Sequence, residues 1–586
     1  INDIKAAKSL EEVQEIRRKQ VEIERAGGDH DGIQRILTED MYSNPLRFID
    51  ELLQNAQDAA RKAAKSTGVE LRLYNDKLEF FHSGKDFDLK DLIGITGIGA
   101  STKSEQDIGT FGIGFKSVYQ ITDEPHIYSG KYNFKIVEFR IPISIPKDDN
   151  IQNTAIVLPF KKEYEQGKIF SYLDDIEIES LLFLPNIDSI TWRRHEEGEN
   201  KSSLSKIVLD EQKNEDLIYK KIDIRSVSLG KSKQYLTFQR NIQISGKKLD
   251  IEIAFGFDSV KNRIIPLKNR KLHVFFPTTE ETHLNFLLNA PFRTTANREN
   301  IKLENDDDNR VLQELSRLTT DSIIFIKNQM PHLLDVDFFS DIIPLKGEDQ
   351  NHIYNVLFQA VKELLKNSQN SLLPVQNSGF ASVSDVILAE NASLMELLNT
   401  TDNQKLFGKR YWVNSDISST KERTKDLHGY LKKHLDVEDI GFEKFAKEFT
   451  KEFIEDKDDL WIVKLYKSLL TNQKRLWEKN SWELKSWDNE TDGIWKITPI
   501  IRLNNEQHVA PYDRNGNRQA WLPSESESYF DTVKSTLMED KEAREFLEKL
   551  SLEKPDLFAQ FKKFIAPRYE NKSPSVETEK YFQDIS

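Results

Sequence analysis

The chain of 586 residues is 38% hydrophobic and 31% charged, and its formal net charge is −14. This length predicts two to four domains with a sizeable core, and the acidic balance disfavours a broadly basic nucleic-acid-binding surface. The absence of cysteine excludes disulfides and cysteine-ligated zinc and favours a reducing compartment. No apolar run reaches the roughly 18 residues of a membrane span, and no signal peptide is recognisable, so we expect a cytoplasmic location without membrane association. Because the first residue is Ile1 and not Met, we expect a fragment of a longer protein.

Two helices are predicted before the first strands. Residues 9–26 form a charged amphipathic pattern with Ile23 on the apolar side, and the pattern ends at Gly27. Residues 47–60 lack glycine and proline and are rich in Leu, Ala, Gln and Glu. On this second helix three polar residues at i, i+4 and i+7 form one narrow stripe edged by apolar residues: Glu51, Asn55 and Asp58. Such a stripe is unusual for a solvated face and indicates a functional one.

A glycine-rich segment follows the first predicted strands. Residues 69–74 and 77–81 predict a strand pair, and residues 108–119 then read I-G-T-F-G-I-G-F-K-S-V-Y. The glycines let backbone N–H groups approach an anion closely, and a helix is predicted directly after them, which is typical of phosphate-binding turns. The segment is one residue too long for a Walker A loop, and its glycines stand in another order than those of a Rossmann turn.

The polar stripe and the glycine segment together resemble the GHKL ATPase superfamily of gyrase, the ninety-kilodalton heat-shock chaperones, histidine kinases and MutL. Residues 51–59 read E-x-x-x-N-x-x-D-A, as that family does. Over much of the chain the likeness is to sacsin-type proteins with a chaperone-like ATP-binding domain. The resemblance implies an α+β fold with three parts. Residues 1–196 form a Bergerat-type ATP-binding sandwich with a lid at about 94–108. Residues 197–335 form an α/β transducer-like domain, and residues 336–586 form a mixed α/β C-terminal region.

The resemblance also implies bound ATP and Mg²⁺ and assigns roles to the stripe. Glu51 orients and deprotonates the attacking water, Asn55 is the single protein ligand of Mg²⁺, and Asp58 orders the pocket through water. The phosphates are held by the lid lysine and the glycine segment: Lys103, Gly109, Phe111, Gly112, Ile113, Gly114 and Phe115. For Asp58 and Lys103 the competing interpretation is a solvated surface charge.

Two further groups of residues carry implied roles. Arg298, or else Arg293, lies in a sacsin-like segment and is the candidate sensor of the γ-phosphate, although most such arginines form structural ion pairs.

Most GHKL proteins have D-x-G where this chain has His82, Ser83 and Gly84, and that aspartate accepts a hydrogen bond from the adenine amino group. A neutral imidazole can accept through one nitrogen, and Ser83 or a water can share the task. Adenine specificity therefore stays open, as does the alternative that His82 only caps a strand end. Thr154, at the start of a predicted strand, is implied to support the adenine-binding network; the competing interpretation is a plain strand threonine.

The later chain shows no catalytic constellation. Asp250 and Glu252 suggest a nuclease-like pair but lack a completing lysine, so we expect both to face solvent along a strand. Tryptophans concentrated after residue 460 are widely spaced, which favours core positions over a stacking platform. The predicted elements are a short helix at 177–183, strands near 207–209, 221–228, 235–242, 249–257 and 272–276, and helices at 311–329, 352–366, 443–453, 460–475 and 540–550.

The implied function is a slowly hydrolysing ATPase that acts as a conformational switch. It is chaperone-like towards a protein client, or it controls an effector partner. The alternatives are the ATPase or sensor subunit of a prokaryotic anti-phage defence or restriction-type system, and a nucleotide-binding scaffold without turnover. The lid and the helix at 9–26 are implied to support a homodimer. That helix packs on its own domain in the competing interpretation.

Overall fold

The chain divides into two compact units, Ile1–Val361 and Lys362–Ser586, here called unit 1 and unit 2. Among the residues described, no helix combines the length and the apolar character that crossing a membrane requires. The computed structural model describes these residues: 2–27, 45–97, 114–162, 164, 167–195, 200–268, 270–294, 301, 306–344, 354–377, 379–483, 490–524 and 529–569.

Unit 1 is built on one 15-stranded mixed sheet. Most neighbouring strands are antiparallel, as expected where consecutive strands are joined by short turns. Its strands are β1 Thr67–Leu73, β2 Lys77–His82, β3 His126–Ser129, β4 Tyr132–Val137, β5 Ile141–Ser144, β6 Thr154–Pro159, β7 Ile187–Arg194, β8 Asn200–Asn214, β9 Leu217–Ser226, β10 Lys231–Ile244, β11 Lys247–Asp258, β12 Arg263–Ile265, β13 Lys271–Val274, β14 Phe276–Glu281 and β15 Leu287–Asn289.

The strand order is β14-β13-β15-β11-β10-β9-β8-β7-β1-β2-β6-β3-β4-β5, with β12 paired to β11. The parallel pairs are β1 with β7 and β13 with β15. The sheet therefore continues from the strands of residues 1–196 into those of residues 197–335. The fold is mixed α/β with a large mixed sheet.

Helices cover the sheet where their apolar residues face it. The segment predicted at 47–60 is a helix whose buried side carries Phe48, Leu52 and Ala56, all in one core with Leu78 and Phe80 of β2. The helices of unit 1 are α1 Asn2–Lys5, α2 Leu10–Gly27, α3 Phe48–Lys62, α4 Leu89–Ile95, α5 Gly167–Asp174 and α6 Asp306–Gln329, and α7 Asn355–Lys366 spans the unit boundary.

Helix α2 packs on its own unit. Val13 and Val21 are buried, and the Arg17 guanidinium donates to the Ile93 carbonyl at 2.9 Å. A salt bridge of 2.7 Å joins Arg140 to Glu24 of α2. Ile23, predicted on the apolar side, is 71% exposed, so the apolar stripe ends about one turn before the helix does.

Two short elements differ from their sequence predictions. The predicted helix at 177–183 is a 3-10 turn, Ile178–Leu181. The buried stretch continues through residues 182–184, and Pro185 prevents the helix from continuing. The helix expected after the glycine segment is also 3-10, Gly114–Gln120, with four consecutive buried residues and no solvent face.

Unit 2 consists of short helices, small sheets and a core rich in aromatic residues. The tryptophan prediction is confirmed for Trp477 and Trp495, which are fully buried. The predicted helix at 443–453 is two helices, because Thr450 interrupts the first and caps the second by accepting from the Phe453 N–H at 3.2 Å. The elements are β16 Leu373–Pro374, β17 Phe380–Ala381, β18 Val386–Ala389, α8 Ala392–Leu397, α9 Thr400–Phe407, β19 Tyr411–Trp412, α10 Lys425–His434, β20 Asp439–Ile440, α11 Phe442–Glu448, α12 Lys451–Glu455, α13 Asp459–Thr471, α14 Arg475–Glu478, β21 Ile501–Arg502, β22 His508–Val509, α15 Lys541–Lys549, α16 Leu557–Gln560 and α17 Ala566–Tyr569.

Candidate functional site

Helix α3 buries an unusual number of polar side chains. Glu51 is 4% exposed and Asp58 3% exposed, while Asn55 between them is half-buried. Gln57, on another side of the helix, exchanges hydrogen bonds of 2.8 and 2.9 Å with Asn186 and so holds the helix in place. Buried carboxylates are expensive to desolvate. The two carboxylates of the α3 stripe are therefore buried and do not form a solvated face.

The glycine segment ends against this stripe. A Cβ atom on Gly114 would lie 1.9 Å from Oε2 of Glu51, so a side chain there would displace that carboxylate. The Ser117 hydroxyl donates to the Gly114 carbonyl at 2.7 Å and fixes the turn. Phe115, half-buried, packs against the main core. Five predicted phosphate contacts and the candidate sensor lie outside the described residues: Lys103, Gly109, Phe111, Gly112, Ile113 and Arg298.

The His82-Ser83-Gly84 segment meets the other end of α3. A Cβ on Gly84 would lie 2.7 Å from the Ala59 side chain, and the Lys85 N–H donates to the Ala59 carbonyl at 3.0 Å. The end of β2 is thus docked on α3 one residue beyond Asp58. Glu51 and Ala59 are separated by about 12 Å along the helix axis, at 1.5 Å per residue.

Hydroxyl groups from neighbouring strands surround the end of β2. The Ser83 and Thr67 hydroxyls lie 2.8 Å apart, and the Ser83 N–H donates to Thr67 Oγ1 at 3.0 Å. Thr154 lies directly across from His82 in the β2–β6 register, and its hydroxyl is 2.6 Å from that of Ser129. Sequence reasoning missed Thr67 and Ser129, because strand pairing alone brings them here and neither stands in a motif.

His82 is 4% exposed and uncharged at neutral pH. Burial, assisted by the nearby positive charge of Lys65, lowers the pKa of the His82 imidazole to about 4. Its Nδ1 accepts a hydrogen bond from the Gly84 N–H at 3.1 Å. Since a neutral imidazole has one accepting nitrogen, the proton is on Nε2, which is then a donor.

A cleft opens beside Glu51 at the first turn of α3. It brings a basic residue, Arg47, close to the predicted base, a neighbour that sequence reasoning did not assign. Arg293, the alternative sensor, is exposed on the surface. The Asp50 carboxylate, which also faces the cleft, accepts from the Tyr172 hydroxyl at 3.0 Å. The cleft is lined by Arg47, Asp50, Glu51, Gln54, Val274, Phe276 and Thr278.

Two buried cations, Arg17 and Lys116, anchor the residues on either side of the segment 98–113. Lys116, 1% exposed, donates to the carbonyls of Ile95 at 2.7 Å and Phe139 at 2.6 Å. Burial lowers the pKa of the Lys116 ammonium well below its ordinary value. Arg17 of α2 donates to Thr96 Oγ1 at 3.3 Å. The residues before and after the segment 98–113, namely Thr96 and Lys116, are therefore anchored by hydrogen bonds.

The nuclease-like carboxylate pair does not form a second site. Asp250 is exposed as expected, but Glu252 is half-buried, and burial raises the pKa of its carboxyl to about 7, against the attraction of Lys206. Within the described ranges no cluster of three or more His, Asp or Glu side chains could hold a metal ion. The polar stripe of α3 is thus the strongest candidate site.

Residues 31–138 match the family model described as "Sacsin domain". This range contains α3, β1, β2 and the start of the Gly114 turn, so the segment that carries the candidate site is sacsin-like. The match covers the two motifs and not the remainder of unit 1 or unit 2.

Two curated relatives extend this likeness. The chain is 22% identical to "Protein NO VEIN" of Arabidopsis thaliana over 356 residues, which are 53% of this chain and 12% of that protein. It is 35% identical to "Sacsin" of Homo sapiens over 103 residues, which are 15% of this chain and 2% of that protein. The chain therefore spans only a small part of the length of these relatives.

Among solved structures, the chain resembles one described as "Crystal Structure of N terminal domain of a DNA repair protein". The match has a TM-score of 0.30 and 10% sequence identity, and it covers 52% of this chain and 100% of the other. A likeness of this strength carries no argument about fold or function.

Proposed function

We propose that unit 1 binds and slowly hydrolyses a purine nucleoside triphosphate with Mg²⁺, as a GHKL-type ATPase with a Bergerat-type site. The observation that carries the proposal is the contact between Glu51 and Gly114, with its 1.9 Å separation from a Cβ position. It joins the two motifs that lie more than 50 residues apart in the sequence. A phosphate-binding turn beside a buried carboxylate is what hydrolysis of a terminal phosphate requires.

The residues present fit the implied metal and nucleotide. Mg²⁺ prefers one or two protein oxygens, completed by phosphates and waters, and Asn55 offers one amide oxygen from a half-buried position between two carboxylates. The missing side chain at Gly114 lets the Glu51 carboxylate lie directly against the turn. When bound, Mg²⁺ supplies neutralisation of the phosphate charge.

The chain's own residues then have distinct tasks. The Glu51 carboxylate, one helical turn from Asn55, orients the attacking water and takes its proton. Because phosphoryl transfer depends mainly on positioning and electrostatics, the base need not be strong. Asp58, which is 3% exposed on the same stripe, orders the pocket through water.

The proposal extends to a switch. Nucleotide binding closes the lid at about residues 94–108 and supports a homodimer, and the change acts on a protein client or an effector partner. The anchored positions Thr96 and Lys116 support this view, because they hold the residues on both sides of the proposed lid in place.

Binding and turnover in the full chain test the proposal separately. Glu51→Ala should bind Mg-ATP with wild-type affinity but lose phosphate release by about 10²- to 10⁴-fold, the range of general-base catalysis. Glu545→Ala, which removes an exposed helical glutamate of unit 2, is the matched control and should change neither quantity. Retained turnover in Glu51→Ala would refute the base assignment.

Asn55→Ala should abolish the Mg²⁺-dependent part of the affinity, measured by calorimetry with and without the metal. Unchanged metal dependence would count against Asn55 as the ligand. Wild-type binding without turnover would replace the ATPase by the nucleotide-binding scaffold, and absence of binding by the wild type would overturn the proposal as a whole.

A further inference from the structure

The end of β2 presents a hydrogen-bond donor from a buried position. His82 Nδ1 is occupied by the Gly84 N–H at 3.1 Å, which leaves Nε2 carrying the proton. In the part of the chain that the structure describes, no residue hydrogen-bonds to Nε2 of His82. His82 as a residue is 4% exposed, and its Nε2–H is available to an acceptor from a ligand or a water.

His82 lies on the side of the sheet that packs on α3. His82 and Thr154 face each other across β2 and β6 and therefore point to the same side of the sheet as Phe80, whose core includes α3. Gly84 brings this strand end against Ala59 with no side chain between them. The imidazole thus lies at the opposite end of α3 from Glu51 and Gly114, about 12 Å along the axis.

The charge-neutral donor reverses the chemistry expected at this position. An aspartate here accepts a hydrogen bond from a 6-amino group. His82 Nε2–H instead requires an acceptor, and a 6-oxo group provides one in the same place. Against a 6-amino group two donors would meet, and a buried donor without an acceptor is unfavourable.

We propose that His82 reads the nucleotide base as a donor, so that the site prefers 6-oxopurine triphosphates, the inosine and guanosine nucleotides, over ATP. This inference rests on the proposed function. The hydroxyls of Thr154 and Ser129 lie 2.6 Å apart, and each can donate or accept a hydrogen bond. The pair therefore suits either a donor or an acceptor at the ring atom of the base next to position 6. The triphosphate and Mg²⁺ contacts at the other end of α3 are common to all three nucleotides.

The direct test compares Mg-ITP with Mg-ATP on the full wild-type chain by equilibrium calorimetry. These two nucleotides differ only at position 6 and in the protonation of N1 of the base. We expect ITP to bind about tenfold more tightly, the usual result of meeting a buried donor with an acceptor. GTP, which adds a 2-amino group, should share the preference over ATP.

Substitutions at His82 identify the residue responsible. His82→Asn offers an amide that can donate or accept and should bring the ITP/ATP affinity ratio close to one, and His82→Asp should reverse it in favour of ATP. His195→Asn, at an exposed histidine of unit 1, is the control and should leave the ratio unchanged.

The wild-type ratio decides the matter even if the variants fold poorly. ATP binding as tightly as ITP, or more tightly, would overturn the base assignment while the proposed function stood. A ratio that persists in His82→Asn would overturn the role of His82. If none of the three nucleotides binds, the proposed function fails and this inference fails with it.

Discussion

The two units bury charge in different ways. In unit 2, the buried Arg502 guanidinium donates to Asp459 at 2.6 Å and to Nε2 of His508 at 3.0 Å. Arg475 likewise donates to Asp492 at 2.6 Å. In unit 1, helix α3 buries five polar side chains, and three of them line a cleft: Asp50, Glu51 and Gln54.

This comparison sets structural ion pairs beside the charges of the candidate site. Ion pairs such as Arg502–Asp459 tie β21 to the start of α13, and their net contribution to stability is modest because both partners lose hydration. The carboxylate and amide groups on α3 include Glu51, which lies where a Cβ atom of Gly114 would be. Unit 2 has a similar contact, since a Cβ atom on Gly441 would lie 2.0 Å from Oε2 of Glu390, so neither burial nor such a contact identifies a site by itself.

The largest expected effect on activity comes from a glycine-to-alanine substitution, which we compare between one glycine of each unit. In Gly114→Ala the new Cβ forces the Glu51 carboxylate aside, and we expect phosphate release to fall more than 100-fold. The expected loss of stability is about 1–3 kcal/mol from overpacking. Gly429→Ala in α10 of unit 2 meets no atom within 4 Å and should stabilise its unit by about 0.5–1 kcal/mol.

Phosphate release and urea unfolding measure these two outcomes. Wild-type turnover in Gly114→Ala would remove the contact that carries the comparison, and destabilisation by Gly429→Ala would contradict the open surroundings of that glycine.

A smaller effect concerns pH. The pKa of His82 falls from an ordinary 6.5 to about 4 in the folded chain, so the folded state binds fewer protons than the unfolded state between these values. The stability that neutral His82 contributes is present above pH 6.5 and is lost as the pH falls towards 4. The loss between pH 7 and pH 5 should be about 2 kcal/mol. In unit 2, burial and the neighbouring Arg502 lower the pKa of His508 to about 4, with the same sign.

Urea unfolding followed by pulsed hydrogen exchange resolves the units, with peptides from β1–β2 for unit 1 and from α13 for unit 2. His82→Asn should flatten the pH dependence in the unit 1 peptides and leave the α13 peptides unchanged. A pH dependence of unit 1 that persists in this variant would contradict the assignment to His82.

The smallest expected effect concerns two helix N-caps with the same geometry. Asp88 caps α4 of unit 1 and Asn399 caps α9 of unit 2, each in a reciprocal capping box. Asp88→Ala and Asn399→Ala should each lower the free energy of unfolding by about 1 kcal/mol, and serine at either position should restore most of it. If α4 leads into the lid, only Asp88→Ala should also weaken nucleotide binding. An equal effect of both variants on binding would remove this distinction between the units.

Local patterns predicted much of this molecule. The i, i+4, i+7 stripe of Glu51, Asn55 and Asp58 is a property of one helix, and α3 forms where the absence of glycine and proline predicts it. Apolar alternation likewise predicted β1 and β2 to within two residues. Patterns failed where burial was total, as in the turn Ile178–Leu181, because a run buried on every side has no periodicity to read.

The sequence by itself determined which residue types were available for a site, namely the carboxylate–amide stripe, the glycines and a histidine in place of an acid. Only the tertiary structure decided that Gly114 touches Glu51, that Ser129 and Thr67 join the site, and that His82 is a donor. The physical reason is that helix and strand patterns arise from near neighbours in the chain. Strand register, glycine contacts and the position of a proton on an imidazole depend on atoms that folding brings from distant segments.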